Sequence, residues 1–102
     1  MKYGLTQDTI DQISDVFAQF SVIEKAVLYG SRAKGDYKPG SDIDLTLFGA
    51  NLTFATCASI EDALDDLLLP YKIDLSLFDQ LDHAPLREHI ARVGVPFYPK
   101  CL

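Results

Sequence analysis

Residues 30–45 read GSRAKGDYKPGSDIDL and contain the most informative pattern in this chain. Before them, residues 26–29 form a short apolar run, which predicts a buried strand that ends in a sharp turn at Gly30. Residues 38–41 combine Lys, Pro, Gly and Ser and predict a second turn. Residues 42–48 then alternate polar and apolar side chains, as in a strand with one buried face. The stretch therefore predicts a strand, a short helix or turn, and a second strand.

Apolar periodicity predicts three further helices around this stretch. Apolar residues at spacings of three and four place them at about 6–20, 59–68 and 85–93. Pro70 is expected to stop the second of these helices, and Gly94 follows the end of the third. Strands and helices thus alternate along the chain.

Two further strands complete the predicted sheet. Residues 71–78 repeat the polar and apolar alternation of the second strand, and residues 95–98 predict a short edge strand. This order of elements predicts an α/β (α+β) fold with a small mixed sheet flanked by helices. No linker or repeat interrupts it, so we expect one domain over residues 1–102.

The composition excludes several classes of function. With 48% hydrophobic and 24% charged residues, the chain of 102 residues has the composition of a globular domain. It has no apolar run long enough to span a membrane and no signal peptide, so we expect a cytoplasmic protein without membrane contact. Fifteen acidic against nine basic residues give a net charge of −6. That charge disfavours direct nucleic-acid binding and suits a divalent metal or a basic protein partner.

Cysteine and histidine do not predict a metal site. The chain has two cysteines, Cys57 and Cys101, which exclude a multi-cysteine zinc site and which we interpret as reduced thiols. His83 and His89 have no metal-ligand spacing, so we interpret both as surface or helix-end residues.

Three carboxylates on the polar faces of two strands predict a metal site instead. Asp42 and Asp44 are two residues apart in an extended chain, so their side chains leave the same face of the sheet. Asp74 occupies the equivalent polar position of the third strand and joins them if the two strands are neighbours. Clustered hard oxygen ligands select Mg²⁺ or Mn²⁺. An isolated Asp-X-Asp would equally fit the solvated strand face of an acidic protein.

The turn that follows the first strand predicts an anion site. Gly30 permits a tight turn, and the amides behind it can donate to phosphate oxygens together with the Ser31 hydroxyl. Arg32, Lys34 and Lys38 lie nearby, although Arg32 could instead pair with a carboxylate. An anion site beside a metal site is what a nucleoside triphosphate requires.

Gly30-Ser31, ten intervening residues and then Asp42-Ile43-Asp44 resemble the signature of the DNA polymerase beta nucleotidyltransferase superfamily. The longer string over residues 30–45 resembles its minimal nucleotidyltransferase branch, whose members are short prokaryotic domains often encoded beside a HEPN-domain protein. The resemblance covers nearly the whole chain. It implies a fold like the palm of polymerase beta.

The resemblance also implies roles for individual residues. It implies that Gly30 and Ser31 bind the nucleotide, and that three aspartates hold the metals and carry catalysis: Asp42, Asp44 and Asp74. The position of Arg32 directly after Ser31 makes it a further candidate for nucleotide binding. The implied cofactor is Mg²⁺, as two ions, with Mn²⁺ as a possible substitute and ATP as the substrate. The extra domains that recognise a base or an acceptor in larger members are absent from this chain, so both remain open.

The resemblance finally implies transfer of AMP from ATP to a hydroxyl on a cognate HEPN ribonuclease toxin, which makes the chain an antitoxin. A binding module that neutralises the same partner by contact alone is one alternative. Transfer to a small molecule is another. The acidic helix face with Asp62, Asp65 and Asp66 fits either a solvated surface or a docking surface for a basic partner.

Overall fold

The computed structural model describes residues 2–99. Its four strands are β1 (Lys25–Tyr29), β2 (Ile43–Phe48), β3 (Ile73–Leu77) and β4 (Val95–Tyr98). They form one sheet in the order β3-β2-β1-β4. β1 is antiparallel to both β2 and β4, whereas β2 and β3 are parallel. The predicted mixed sheet is confirmed, with the short strand β4 at one edge.

The helices flank this sheet as predicted. They are α1 (Gln7–Ala18), α2 (Ser31–Lys34), α3 (Phe54–Asp65) and α4 (Ala84–Val93), and a 3₁₀ turn spans Phe78–Gln80. Helix α3 connects the parallel pair β2 and β3, as such a crossover requires. None of the described helices is long and apolar enough to cross a bilayer.

The bounds predicted for α3, residues 59–68 with Pro70 as the stop, were wrong. The helix begins at Phe54 because the side chain of Thr53 caps it, accepting a hydrogen bond of 3.1 Å from a backbone amide three residues later. It ends at Asp65, and Leu68 then adopts a left-handed φ of 54°. The chain therefore leaves the helix before Pro70 can act.

The hydrophobic core lies between the sheet and helices α1 and α3. Ile43, Leu45 and Leu47 alternate along β2 and are buried in it, as is Phe17 of α1. Helix α4 covers part of the other face, where its cap residue Gly94 leaves no room for a Cβ beside Val27. Residues of β2 between the core positions therefore face the α4 side of the sheet.

We predict that Phe17→Ala lowers the free energy of unfolding by about 3–5 kcal/mol, because it empties the centre of the core. The Phe17 ring is 0% exposed and packs edge-on against Phe97 and Tyr98, with centroids 6.4 and 5.7 Å away. Phe54→Ala is the control, since Phe54 is 71% exposed. Urea unfolding measures both variants, and equal losses would contradict this assignment of the core.

Candidate active site

Strand pairing brings the predicted carboxylates to one part of the sheet. Asp44 of β2 is directly opposite Asp74 of the parallel strand β3 and opposite Tyr29 of β1. Asp42 comes one residue before β2 and, two residues from Asp44, shares its side of the chain. The condition that the second and third strands be neighbours is thus met. Asp42 and Asp74 are exposed, and Asp44 is half-buried.

The turn at Gly30 lies against the carboxylate of Asp44. Gly30 has a left-handed φ of 75°, and a Cβ on it would collide with the Asp44 Oδ2 atom. The four-residue helix α2 begins immediately afterwards, so the amides of its first turn have no acceptor within the helix. Ser31, its first residue, is half-buried. The fold therefore places backbone donors and a carboxylate side by side at the end of β1.

The charge of Asp44 is poorly compensated. Its pKa is raised, chiefly by burial and then by repulsion from Asp74 and Asp42, while Arg32 and His89 act in the opposite direction. Within residues 2–99, no three carboxylate, imidazole or thiol groups are assembled as a ready-made metal site. The donor chemistry and the excess negative charge nevertheless fit a divalent cation. The ligand roles of the three aspartates stay predictions.

Hydroxyl groups line the sheet beside these carboxylates. Thr46 and Ser76 are the next opposed pair on the same face of β2 and β3, and their hydroxyl oxygens are buried without a hydrogen-bond partner among the described residues. Burial raises the pKa of Tyr29, and Asp44 raises it further. The nearby Ser76 hydroxyl acts in the opposite direction and lowers that pKa. The site thus has a polar floor.

Sequence reasoning missed two residues at this site, Tyr29 and His89. The ring of His89, on α4, meets the ring of Tyr29 edge-to-face, with centroids 6.4 Å apart and planes at 82°. The apolar run over residues 26–29 predicts only a place in a buried strand for Tyr29, and His89 is predicted to be a surface or helix-end residue. The sequence shows that Tyr29 directly precedes Gly30, which could have placed it near the site. It does not show that Tyr29 lies opposite Asp44 in the pairing of β1 with β2. No sequence signal places His89 near β1.

Arg32 occupies a different position from the one expected for a phosphate ligand. Its side chain is only 2% exposed, and its guanidinium donates hydrogen bonds to backbone carbonyls. The acceptors are Ser41 O at 2.8 and 3.2 Å, Tyr3 O at 2.8 Å and Pro39 O at 3.4 Å. These contacts are those of a structural residue. The predicted phosphate contact of Arg32 stays a prediction that this geometry does not favour.

The remaining candidates lie apart from the carboxylates. Lys34 is exposed and pairs with Asp36 at 3.6 Å, and Lys38 is also exposed. Cys57 is a buried free thiol whose pKa is raised to about 11, mainly by burial, so it is unreactive at neutral pH. Cys101 lies outside the described residues.

Comparisons with known proteins identify the family and the fold. The family model of the polymerase beta nucleotidyltransferases matches residues 11–100. A solved toxin-antitoxin structure with AMP-PNP superposes with a TM-score of 0.71 at 19% identity, covering 92% of this chain and 73% of that one. The toxin-antitoxin MntA-HepT gives 0.67 at 17% identity, covering 91% and 72%. At such identities the structures demonstrate a shared fold. No curated protein sequence gives a significant match.

We predict that Gly30→Ala weakens Mn²⁺ binding, because the new Cβ displaces the Asp44 carboxylate. Gly35→Ala is the matched control: Gly35 also has a left-handed φ, 88°, but nothing lies within 4 Å of its Cβ position. Gly35 lies in the αL region, where alanine costs about 1–2 kcal/mol. Gly30 has a ψ of −156°, a conformation adopted almost exclusively by glycine, so Gly30→Ala should melt at a lower temperature than Gly35→Ala. Titration calorimetry with Mn²⁺, run well below both melting temperatures, should separate the two variants. Unchanged Mn²⁺ affinity in Gly30→Ala would exclude Asp44 from a metal site.

We also predict that Asp44→Asn raises the melting temperature of the metal-free protein at neutral pH. A carboxyl group whose pKa is raised by folding destabilises the fold once the pH exceeds that pKa. Below the ordinary value of 3.8, the group is protonated in both states and the gain should vanish. Thermal unfolding of both proteins between acidic and neutral pH measures this difference. A gain that persists at the lowest pH would have a cause other than charge.

Proposed function

Because the chain belongs to the polymerase beta nucleotidyltransferase family, we propose that it transfers a nucleotide from a nucleoside triphosphate to a hydroxyl acceptor. The observation that carries this proposal is the contact between the Gly30 turn and Asp44, with Asp74 on the next strand. The two ends of the signature, separated by ten residues in the sequence, thus meet in the fold. A solvated acidic strand face would not require the turn to be beside it.

We assign the chain's own residues as follows. The backbone amides after Gly30 and the Ser31 hydroxyl donate to the triphosphate oxygens and orient them. Asp42, Asp44 and Asp74 would hold Mg²⁺, as two ions, or Mn²⁺. When bound, the metal stabilises charge on the attacking and leaving oxygens of an in-line displacement. The resemblance assigns activation of the acceptor hydroxyl to the third aspartate, Asp74, and its exposure lets the acceptor reach it.

We propose ATP as the donor, with AMP transferred and pyrophosphate released. One of the solved structures of this fold is a toxin-antitoxin with AMP-PNP, an ATP analogue, and this supports an adenine nucleotide as the donor. The new bond joins the acceptor oxygen to the α-phosphorus, and the bond between that phosphorus and the pyrophosphate oxygen breaks. Asp74 accepts the proton of the acceptor hydroxyl.

We propose that the acceptor is a hydroxyl on a cognate toxin, and that the chain acts as its antitoxin. Two solved structures of this fold are toxin-antitoxin complexes. The resemblance of residues 30–45 to the minimal branch adds that the toxin is a HEPN ribonuclease. The exposed acidic side chains of α3 and the net charge of −6 suit a basic partner, through complementary fields that speed association at low salt.

The test is intact-mass analysis of the toxin encoded beside this chain, after incubation with ATP and Mg²⁺. We expect the toxin to gain the mass of one or more AMP units. Asp42→Asn and Asp44→Asn should each lower the rate more than about a hundredfold, because each removes a metal ligand. Asp15→Asn, at an exposed carboxylate of α1, is the matched control and should leave the rate unchanged.

Three outcomes would replace this proposal. A toxin that is neutralised without any gain in mass would support a binding antitoxin that acts by contact. An unmodified and active toxin, together with a nucleotide transferred to a small molecule, would support the other alternative. Full activity in both aspartate variants would show that the reaction site lies elsewhere.

A further inference from the structure

The buried guanidinium of Arg32 lacks a direct charge partner. No carboxylate within residues 2–99 lies at ion-pair distance from it, although it is among the largest fully buried side chains. A buried cation is unfavourable unless its donors are satisfied. Here, backbone carbonyls satisfy them, and the rings of Tyr37 and Tyr71 stack 5.4 and 4.9 Å from its Cζ atom. The surroundings are therefore built around this one side chain.

The segments that Arg32 contacts are those that carry the candidate site. Arg32 itself follows Gly30-Ser31 directly in α2. Ser41, whose carbonyl accepts two of its hydrogen bonds, is the residue before Asp42. Tyr71 comes three residues before Asp74 in the chain segment that leads into β3. The guanidinium of Arg32 thus connects the Gly30 turn to the starts of both strands that carry the aspartates.

A tight turn at the start of the chain closes over the same group. The amide of Leu5 donates to the Lys2 carbonyl at 2.8 Å, and Tyr3 and Gly4 between them have φ values of 57° and 73°. The left-handed conformation of Tyr3 is costly for a residue with a side chain. It directs the Tyr3 carbonyl to Arg32, and Gly4 leaves no room for a Cβ beside Arg32 Nη1. The strained turn thus completes the set of acceptors.

We propose that Arg32 is a positioning residue for the candidate active site. Its guanidinium fixes the segments that carry Asp42 and Asp74 relative to the Gly30 turn, through the Ser41 carbonyl and the Tyr71 ring. This role rests on the proposed function for its effect on catalysis. It differs from phosphate binding, because the group acts on the protein rather than on the substrate.

Arg87 provides a matched control for a purely structural arginine. Its guanidinium also donates to two backbone carbonyls, those of Phe78 and Leu81, both at 2.9 Å. It also lies over an aromatic ring, 4.3 Å from the centroid of Phe78. These contacts hold the segment after β3, which carries none of the candidate site residues.

The experiment compares Arg32→Lys with Arg87→Lys by hydrogen exchange and by Mn²⁺ titration in the presence of AMP-PNP. Both variants should melt at lower temperature. We expect Arg32→Lys alone to speed amide exchange over residues 38–42 and 71–74, and to weaken Mn²⁺ binding about 10–100-fold. The rate of nucleotide transfer by Arg32→Lys should fall by a similar factor. If Arg32→Lys folds and has the amide exchange and the Mn²⁺ affinity of the wild type, the proposal is overturned.

A second pair of variants covers the case in which Arg32→Lys does not fold. Tyr71→Leu removes a stacking ring and should loosen residues 71–74, whereas Tyr71→Phe keeps the ring and should behave as wild type. Equal exchange in the two would overturn the proposal. If the wild-type chain transfers no nucleotide, the proposed function fails while hydrogen exchange still decides whether Arg32 positions these segments.

Discussion

The register between β1 and β2 is the constraint on which the candidate site depends. It sets Tyr29 opposite Asp44 and brings the Gly30 turn against the Asp44 carboxylate. A slip of one residue would turn Asp44 into the core and expose Leu45. Because Ile43, Leu45 and Leu47 are almost completely buried, such a slip would expose the apolar face of the strand. Hydrophobic burial on one face of the sheet therefore fixes the polar geometry on the other.

The residues of the candidate site lower the stability of the folded chain. Burial and the two neighbouring carboxylates raise the pKa of Asp44, so folding disfavours its ionised form in the absence of a cation. Thr46 and Ser76 add buried hydroxyls without hydrogen-bond partners among the described residues. Such local conflicts with good packing are expected where function rather than stability selects the residues. Two of the three buried hydroxyls without a partner among the described residues thus lie beside Asp44, whereas the third, Ser14, lies in α1. This supports the location of the site on β2 and β3.

Local sequence patterns predicted the strands and the turns within the signature over residues 30–45. They could do so because polar and apolar alternation and turn residues each involve only a few neighbouring positions. The pairing of the strands was harder to predict from the sequence. The approach of Asp74 to Asp44 could be predicted only on the condition that the second and third strands are neighbours. The start of α3 was missed because Phe54 and Ala55 in its first turn are exposed and do not belong to its buried face, and because its cap is a single threonine, Thr53. The surroundings of Arg32 were inaccessible, since they depend on the fold of a turn almost thirty residues away. The roles of the site residues stay predictions.

The distribution of positive charge bears on how an acidic chain could hold a triphosphate. Of the cations near Gly30, Arg32 is turned inward onto backbone carbonyls, and Lys34 is paired with Asp36 at the surface. Little side-chain charge is therefore directed at the position proposed for the phosphates. Under the proposed function, recognition then relies on the amides of α2 and on the metal that accompanies the nucleotide. A chain of net charge −6 with its nearest arginine buried would have low affinity for a metal-free triphosphate and would select the metal complex.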